Sequence, residues 1–337
     1  MPSGVGSTEP PRSAGRGFAA AGAGPRVGVV GATGAVGKVT LGLLVERGYD
    51  DVRAFASARS AGSRIEFGGE ALVVEEATPE ALGAGDLDLC LFSIGTATSR
   101  ELVPHAVRGG AVVVDKSSAY RLADGVPLVV PEVNGARAAD HQGIVANPNC
   151  CTIPLTCVLK PLEEAAKLRR VRVATYQSVS GAGIESMERL AGERPDEHDL
   201  RADWDFDGVE YDEEEKLRLE TRKIMELPDL PISPTCVRVP VMVGHAEAVW
   251  VETEERLSVE QARSVLGAAP SVRVVDGFPS PGAAAQTNDV LVGRIRQDPT
   301  EEHGLVLFLA CDNLVKGAAL NASQIAELLL SREAVAA

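Results

Sequence analysis

From Arg26 to Gly48 the chain reads RVGVVGATGAVGKVTLGLLVERG. A short apolar run with strand character meets glycines at 28, 31, 34 and 37, and apolar residues at helical spacing follow until Gly48. Few architectures use a strand, a glycine turn and a helix in such quick succession. The stretch Gly31-Ala-Thr-Gly34-Ala-Val-Gly37 is a GxxGxxG variant of the dinucleotide fingerprint, in which missing side chains let backbone amides approach a pyrophosphate at the start of a helix. It predicts an α/β fold that begins near Pro25 with a Rossmann-type dinucleotide-binding domain.

A second strand, DVRAFAS, follows, and its end should carry the residue that reads the adenosine ribose. In NAD-specific domains that residue is acidic. Here Ser57-Ala58-Arg59-Ser60 offers no carboxylate, whereas a guanidinium flanked by hydroxyls suits a 2'-phosphate, so NADP is the expected cofactor. Two further strands, in LDLCLFSIG and GAVVVDKSS, end in small polar residues, as strands do where their C-termini line a ligand crevice. Ser93 and Gly95 are the candidates for close approach there.

The pentad Pro148-Asn149-Cys150-Cys151-Thr152 places thiols where an apolar strand, GIVAN, hands over to a segment with helical spacing, IPLTCVLKPLEEAAKL. Cys150 then faces unpaired amides at the positive end of a helix dipole. Such a position lowers a thiol pKa from about 8.5 by one to several units, which is how a cysteine becomes a nucleophile near neutral pH.

Beyond this helix the segments VRVATYQSVSGAG, VRVPVMVGHAEAVWVETEE and VLVGRIRQ alternate in the manner of a sheet with one covered face. They predict a second, α+β domain with a mixed, largely antiparallel sheet. Gln177 sits where a strand becomes the small-residue turn Ser180-Gly181-Ala182-Gly183. Arg238 and His245 bracket an apolar strand and would be costly to bury without partners; a ligand is one candidate, and histidine is the natural acid/base near neutral pH. Glu220 and Lys223 lie three apart on a predicted helix and share a face, the usual arrangement of a surface ion pair. Near the C-terminus, LFLACDNLVKGAALNASQIAELLL reads as a strand, a polar turn holding Asn313, and a closing helix.

The 337 residues are 45% hydrophobic and carry a net charge of -15, which argues against nucleic acid as a partner. Part of that charge lies in the run Asp205 to Glu215, expected to be a solvated surface. No span is long and apolar enough to cross a bilayer. Cysteines at 90, 150, 151, 157, 236 and 311 show no paired metal spacing and no disulfide framework. No metal is therefore expected, the thiols should be reduced, and the compartment is expected to be cytoplasmic. Residues 1–24, rich in Gly, Pro, Ala and Ser, read as a disordered leader. The expected division is a nucleotide domain over 25–149, completed by a closing helix within 313–337, and a catalytic and dimerisation domain over 150–312.

Taken together, the motifs resemble the aspartate-semialdehyde dehydrogenase family from about Arg26 to Leu330. GATGAVG, SARSAG, VVVDKSSAYR, PEVN, NPNC followed by CT, TYQSVSGAG, ETRKI, VRVPVMVGHAE and CDNLVKGAALN stand in the family's order. Two places depart from its pattern: Cys151 stands where serine is typical, and FSIGTATS replaces the commoner FSAGGS form. The resemblance implies that Cys150 is the acyl-enzyme nucleophile, His245 the acid/base, and Gln177 an orienting group. It implies that Glu220 and Arg238 hold the amino and carboxylate ends of L-aspartate 4-semialdehyde, and that Arg121, Asn149 and Lys223 bind phosphate. NADP would be contacted by Thr33, Gly34, Ala35, Val36, Arg59, Ser60, Ser180, Gly181 and Asn313. A homodimer through the second domain, or a dimer of dimers, is the implied assembly. The implied reaction is NADPH-dependent reductive dephosphorylation of L-4-aspartyl phosphate, at the head of lysine, threonine and methionine synthesis. An N-acetyl-glutamyl-phosphate reductase would share the fold and thioester chemistry, although a PGCY/F-type motif is expected there. A non-catalytic NADP-binding regulator is the other alternative.

Overall fold

The computed structural model of the protein describes residues 24–192 and 199–336. The leader expected over residues 1–24 thus lies outside the described residues except for Gly24.

Seven strands form the first sheet: β1 (Val27–Val30), β2 (Val52–Ala56), β3 (Arg64–Phe67), β4 (Glu70–Glu76), β5 (Leu89–Phe92), β6 (Val112–Asp115) and β7 (Ile144–Ala146). Their order is β3-β4-β2-β1-β5-β6-β7. Pairing is parallel throughout except between β3 and β4. The central strands β1 and β5 are buried along their whole length, which is why VGVV and LCLF are continuous apolar runs without alternation. At the end of β1 the chain turns through Gly31, at φ +87°, into the helix Ala35–Glu46. A Cβ on Gly37 would lie 2.1 Å from Gly31 O, so the strand and helix approach as closely as they do only with glycine at 37.

Six strands form the second sheet: β8 (Leu168–Gln177), β9 (Ile232–Arg238), β10 (His245–Thr253), β11 (Val272–Val274), β12 (Val290–Gln297) and β13 (Gly304–Cys311), in the order β11-β12-β13-β10-β8-β9. β8, β10, β13 and β12 pair antiparallel in succession, while the outer pairs β8–β9 and β11–β12 are parallel. Register positions the chemistry. Gln177 pairs with Arg238, Tyr176 with Ala246, and His245 with Cys311, so the polar residues of three strands gather at one end of the sheet.

The helix Thr152–Ala166 joins the two sheets and buries Ile153, Leu155, Val158, Leu159 and Leu162 completely. At about 1.5–3 kcal/mol for each large apolar side chain, this packing fixes the helix and with it the pentad at its start. The closing helix Leu320–Ala336 packs Ala322, Ile325, Ala326 and Leu329 against Val27, Leu41 and Leu89 of the first unit. No described helix is long and apolar enough to cross a membrane.

Candidate active site

A cavity of about 680 Å³ opens between the two sheets, with the start of the helix Thr152–Ala166 in its wall. Cys150 lines it, half-buried, and Cys151 is fully buried behind. Asn149 shapes this turn. Its Oδ1 accepts from the Cys151 amide at 2.8 Å, its Nδ2 donates to Glu213 Oε1 at 2.8 Å, and its own amide donates to Glu220 Oε2 at 2.7 Å. Gly317 backs Cys150: a Cβ there would come within 3.1 Å of Cys150 O and 3.2 Å of its Cβ.

His245 Nε2 stands 3.1 Å from Cys150 Sγ. The opposite nitrogen, Nδ1, faces the backbone amide of Ser178 at 3.0 Å. An amide can only donate, so Nδ1 is the acceptor and the neutral ring carries its proton at Nε2, directed at the sulfur. Cys150 is thereby offered hydrogen bonds on more than one side, and its thiol is held well below the usual range. The Cys151 thiol is the largest cause, followed by the His245 ring and the Arg238 guanidinium, while burial opposes them. Cys151 is driven the other way, chiefly by burial, and stays a thiol. Of the two adjacent sulfurs, Cys150 is therefore the one whose thiolate is favoured. The Cys150, Cys151 and His245 ligand atoms lie within 4.8 Å of one another, a set that a soft metal ion would occupy only by taking the Cys150 sulfur. Glu247, two residues along β10, is fully buried with neither carboxylate oxygen bonded, and burial drives its pKa well up, favouring the neutral acid.

Across the cavity, Gln177 Nε2 donates to the same Glu213 Oε1 at 2.8 Å, and Thr175 Oγ1 donates to Gln177 Oε1 at 3.1 Å. Arg238 is 4% exposed, sits 4.7 Å over the Trp204 ring, pairs with Asp203 at 3.1 Å and donates to Ser178 O at 3.0 Å. Its burial at the end of an apolar strand is therefore compensated. Arg121 donates to Asn147 O, Lys116 O and Glu220 Oε1 and also lines the cavity.

The expectation for Glu220 and Lys223 needs correction. They are not a surface pair, but neither lines the cavity. Glu220 is 1% exposed and bonds Arg121 and the Asn149 amide. Lys223 Nζ donates to three backbone carbonyls, Arg121 O, Ala123 O and Val126 O, at 2.8–3.2 Å, which tie down the loop after Arg121 and leave the ammonium turned away from the cavity. Two helical turns earlier on the same helix, Asp212–Met225, Glu213 and Lys216 do line it. Both fall within or beside the acidic run read as solvated surface. Asp205, Phe206, Asp207 and Val209 are exposed as expected, but Glu213 and Glu214 are buried, the latter accepting from the Tyr211 and Cys236 amides. The signal available in the sequence was the helical spacing of Glu213, Lys216 and Glu220, which puts all three on one stripe.

On the other side, Gly34, Ala35, Val36 and Ser93 line the cavity together with Ser180, Gly181 and Asn313. Asn313 Oδ1 accepts from Ser178 Oγ, Ser180 Oγ and the Gly244 amide at 2.9–3.1 Å, so one side chain fixes both turns that flank His245. A Cβ on Gly181 would lie 3.1 Å from His245 Nε2 and 3.2 Å from Arg238 Nη1. Gly95 caps the helix Thr96–Arg108 and is not in the cavity wall. Gly31 and Thr33 form the turn itself. Ser57, Arg59 and Ser60 stand just beyond β2, with Arg59 exposed. A glycine turn at a helix start, open to the cavity and bordered by parallel strand ends, fits a dinucleotide's pyrophosphate.

A fold of this kind with a cysteine–histidine pair between its two units defines a semialdehyde dehydrogenase. The NAD binding domain of that class matches residues 26–141, and its dimerisation domain matches residues 159–316. The chain belongs to the aspartate-semialdehyde dehydrogenase family. It is 46% identical to the aspartate-semialdehyde dehydrogenase of Corynebacterium glutamicum, over 90% of this chain and 99% of that protein, and 40% identical to that of Bacillus subtilis, over 91% and 98%. Among solved structures, aspartate semialdehyde dehydrogenase II from Vibrio cholerae matches with a TM-score of 0.87 at 38% identity, covering 91% of this chain and 98% of that one. The same enzyme has been solved in complex with ASA. A Candida albicans aspartate semialdehyde dehydrogenase solved with NADP matches with a TM-score of 0.72 at 27% identity, covering 90% and 98%.

Proposed function

We propose that this chain reduces L-4-aspartyl phosphate to L-aspartate 4-semialdehyde with NADPH, and runs the phosphate-dependent oxidation in reverse. The contact of His245 Nε2 with Cys150 Sγ, in a cavity faced by a glycine turn, carries this reading. Cys150 thiolate attacks the acyl carbon, the carbon–oxygen bond to phosphate breaks, and a thioester remains on the sulfur. When bound, the reduced nicotinamide supplies the hydride that takes the thioester to a thiohemiacetal. His245 holds its proton at Nε2, where it bonds the thiolate first and the oxygen of the tetrahedral adduct next. The amides at the start of the helix Thr152–Ala166 add positive potential to that oxygen. Collapse releases the aldehyde and returns the thiolate.

Arg238 supplies the cation for the substrate carboxylate, and the Glu213 carboxylate, set between Asn149 and Gln177, the partner for its ammonium. Arg121 and Lys216, the cations across the cavity, take phosphate. This reading replaces Glu220 and Lys223 with Glu213 and Lys216. Thr33 to Val36, Ser180, Gly181 and Asn313 hold the dinucleotide, and Arg59 with Ser57 and Ser60 receives its 2'-phosphate. The two sheets correspond to functional units over 25–149 and 150–312, the first completed by the C-terminal helix, and the second pairs two chains as a homodimer in the cytoplasm.

Purified protein should oxidise L-aspartate 4-semialdehyde with NADP only when phosphate is present. Equal or better turnover of N-acetyl-glutamate 5-semialdehyde would favour the related reductase. NADP binding with neither activity would favour a regulator.

A further inference from the structure

Lys116 occupies an unusual place. It follows β6 directly, is half-buried, and lines the cavity beside Ser93 and the turn Gly34–Val36. Its Nζ donates to Ser93 Oγ at 2.6 Å and to Thr40 Oγ1 at 3.1 Å. Ser93 follows β5 and lines the cavity, and Thr40 lies buried behind it on the helix Ala35–Glu46 whose start forms the glycine turn. An ammonium has three donors, and these hydroxyls account for two.

No carboxylate is bonded to this cation in the hydrogen bonds and ion pairs of the described residues. Asp115, the charged neighbour that acts on it, is spent on Ser99 Oγ and Ser117 Oγ, at 2.7 and 2.6 Å. Arg121 donates to the Lys116 carbonyl, adding positive charge, and the charged residues of the two flanking helices at this end, Lys38, Arg100 and Glu101, are exposed. A cation held by neutral oxygens beside a phosphate cradle is short of an anion.

We infer that the Lys116 ammonium is a contact for the pyrophosphate of the dinucleotide, and that binding the cofactor protonates it. The inference rests on the dinucleotide reading given above. The supporting chemistry is that desolvation lowers the Lys116 pKa to about 7, with the Asp115 charge opposing it. An anion within hydrogen-bond reach favours the charged form and moves that value up again. Above pH 7 the free protein therefore holds Lys116 largely neutral, and NADPH must bring a proton with it. Affinity should be greatest below pH 7 and weaken by up to about tenfold for each pH unit above it, until the raised pKa of the complex is passed.

Calorimetric titration of the intact protein with NADPH at pH 8, in two buffers of different ionisation enthalpy, reads this proton directly. The 2'-phosphate, with a second pKa near 6, is already ionised there. Native protein should take up about one proton per NADPH bound. Lys116→Arg should lose the uptake and bind at pH 8 as tightly as it does at pH 6.5, because a guanidinium stays charged in both states. Lys116→Gln should lose the uptake and bind about tenfold or more weakly at pH 6.5, as expected for one charge-assisted contact. Uptake near zero in the native protein, or uptake that persists in Lys116→Arg, overturns the inference. So does a Lys116→Gln variant that binds NADPH normally at pH 6.5 while its Michaelis constant for inorganic phosphate rises, since the ammonium would then serve the substrate. Failure to bind NADPH at any pH would instead sink the dinucleotide reading itself.

Discussion

Gln177 Nε2 donates to Glu213 Oε1 at 2.8 Å, tying the end of β8 to the first turn of the helix Asp212–Met225. The same oxygen receives Asn149 Nδ2, so one carboxylate orients an amide on each side of Cys150.

Glu213→Ala should lower kcat/KM for L-aspartate 4-semialdehyde by about a hundredfold, since a buried charged acceptor serving two donors is worth about 1.5–3 kcal/mol per bond. Lys216→Ala should raise the Michaelis constant for phosphate. Lys223→Ala should act on the fold, with a lower Tm, as three carbonyls lose their donor. Steady-state titration of each substrate beside thermal melts separates the three. A kinetic defect in Lys223→Ala without loss of stability would restore the original assignment of phosphate binding.

Much of this site is legible in the residues. The glycines from 28 to 37 and the Pro148–Thr152 pentad announce their chemistry because strand, turn and helix must meet there. Gln177, Arg238 and His245 could be picked out as polar residues breaking apolar strands, and the register of β8, β9 and β10 unites them. Glu213 was hidden because an acidic run at a helix start is what a solvated, dipole-stabilised surface looks like. Lys116 was hidden because a lysine after a strand is ordinarily solvated. Only the packing of β5, β6 and the first helix shows that its neighbours are hydroxyls.

The Cys151 thiol is the largest cause of the depressed Cys150 pKa. Thiol is the inactive form and accumulates below that pKa. Losing the donor raises the pKa, so the acidic limb of the kcat/KM profile should move to higher pH in Cys151→Ala. Cys151→Ser keeps a donor and should stay active with a smaller displacement. Profiles of the three proteins decide this, and superimposable acidic limbs would show that Cys151 does not support the thiolate.

Gly181 passes so close to His245 that an added methyl would stand 3.1 Å from Nε2 and 3.2 Å from Arg238 Nη1. Gly181→Ala should cost kcat by about tenfold or more through a displaced imidazole, because small misplacements of catalytic groups are expensive. NADP affinity measured alongside kcat tests this. A loss confined to cofactor binding would place the effect on the nucleotide.

Arg59 stands exposed beyond β2. Arg59→Ala should raise the Michaelis constant for NADP by about tenfold or more and change that for NAD little, as one charge-assisted contact to a phosphate is removed. Equal losses with both cofactors would remove Arg59 from 2'-phosphate recognition.

The most direct test is to trap the acyl enzyme. Protein given L-aspartate 4-semialdehyde and NADP without phosphate, then quenched in acid and mapped by mass spectrometry, should carry an aspartyl thioester on Cys150. The adduct should vanish in Cys150→Ala, persist in Cys151→Ser, and be discharged when phosphate is added before the quench. An adduct on Cys151, or continued phosphate-dependent turnover by Cys150→Ala, would contradict the assignment of the nucleophile.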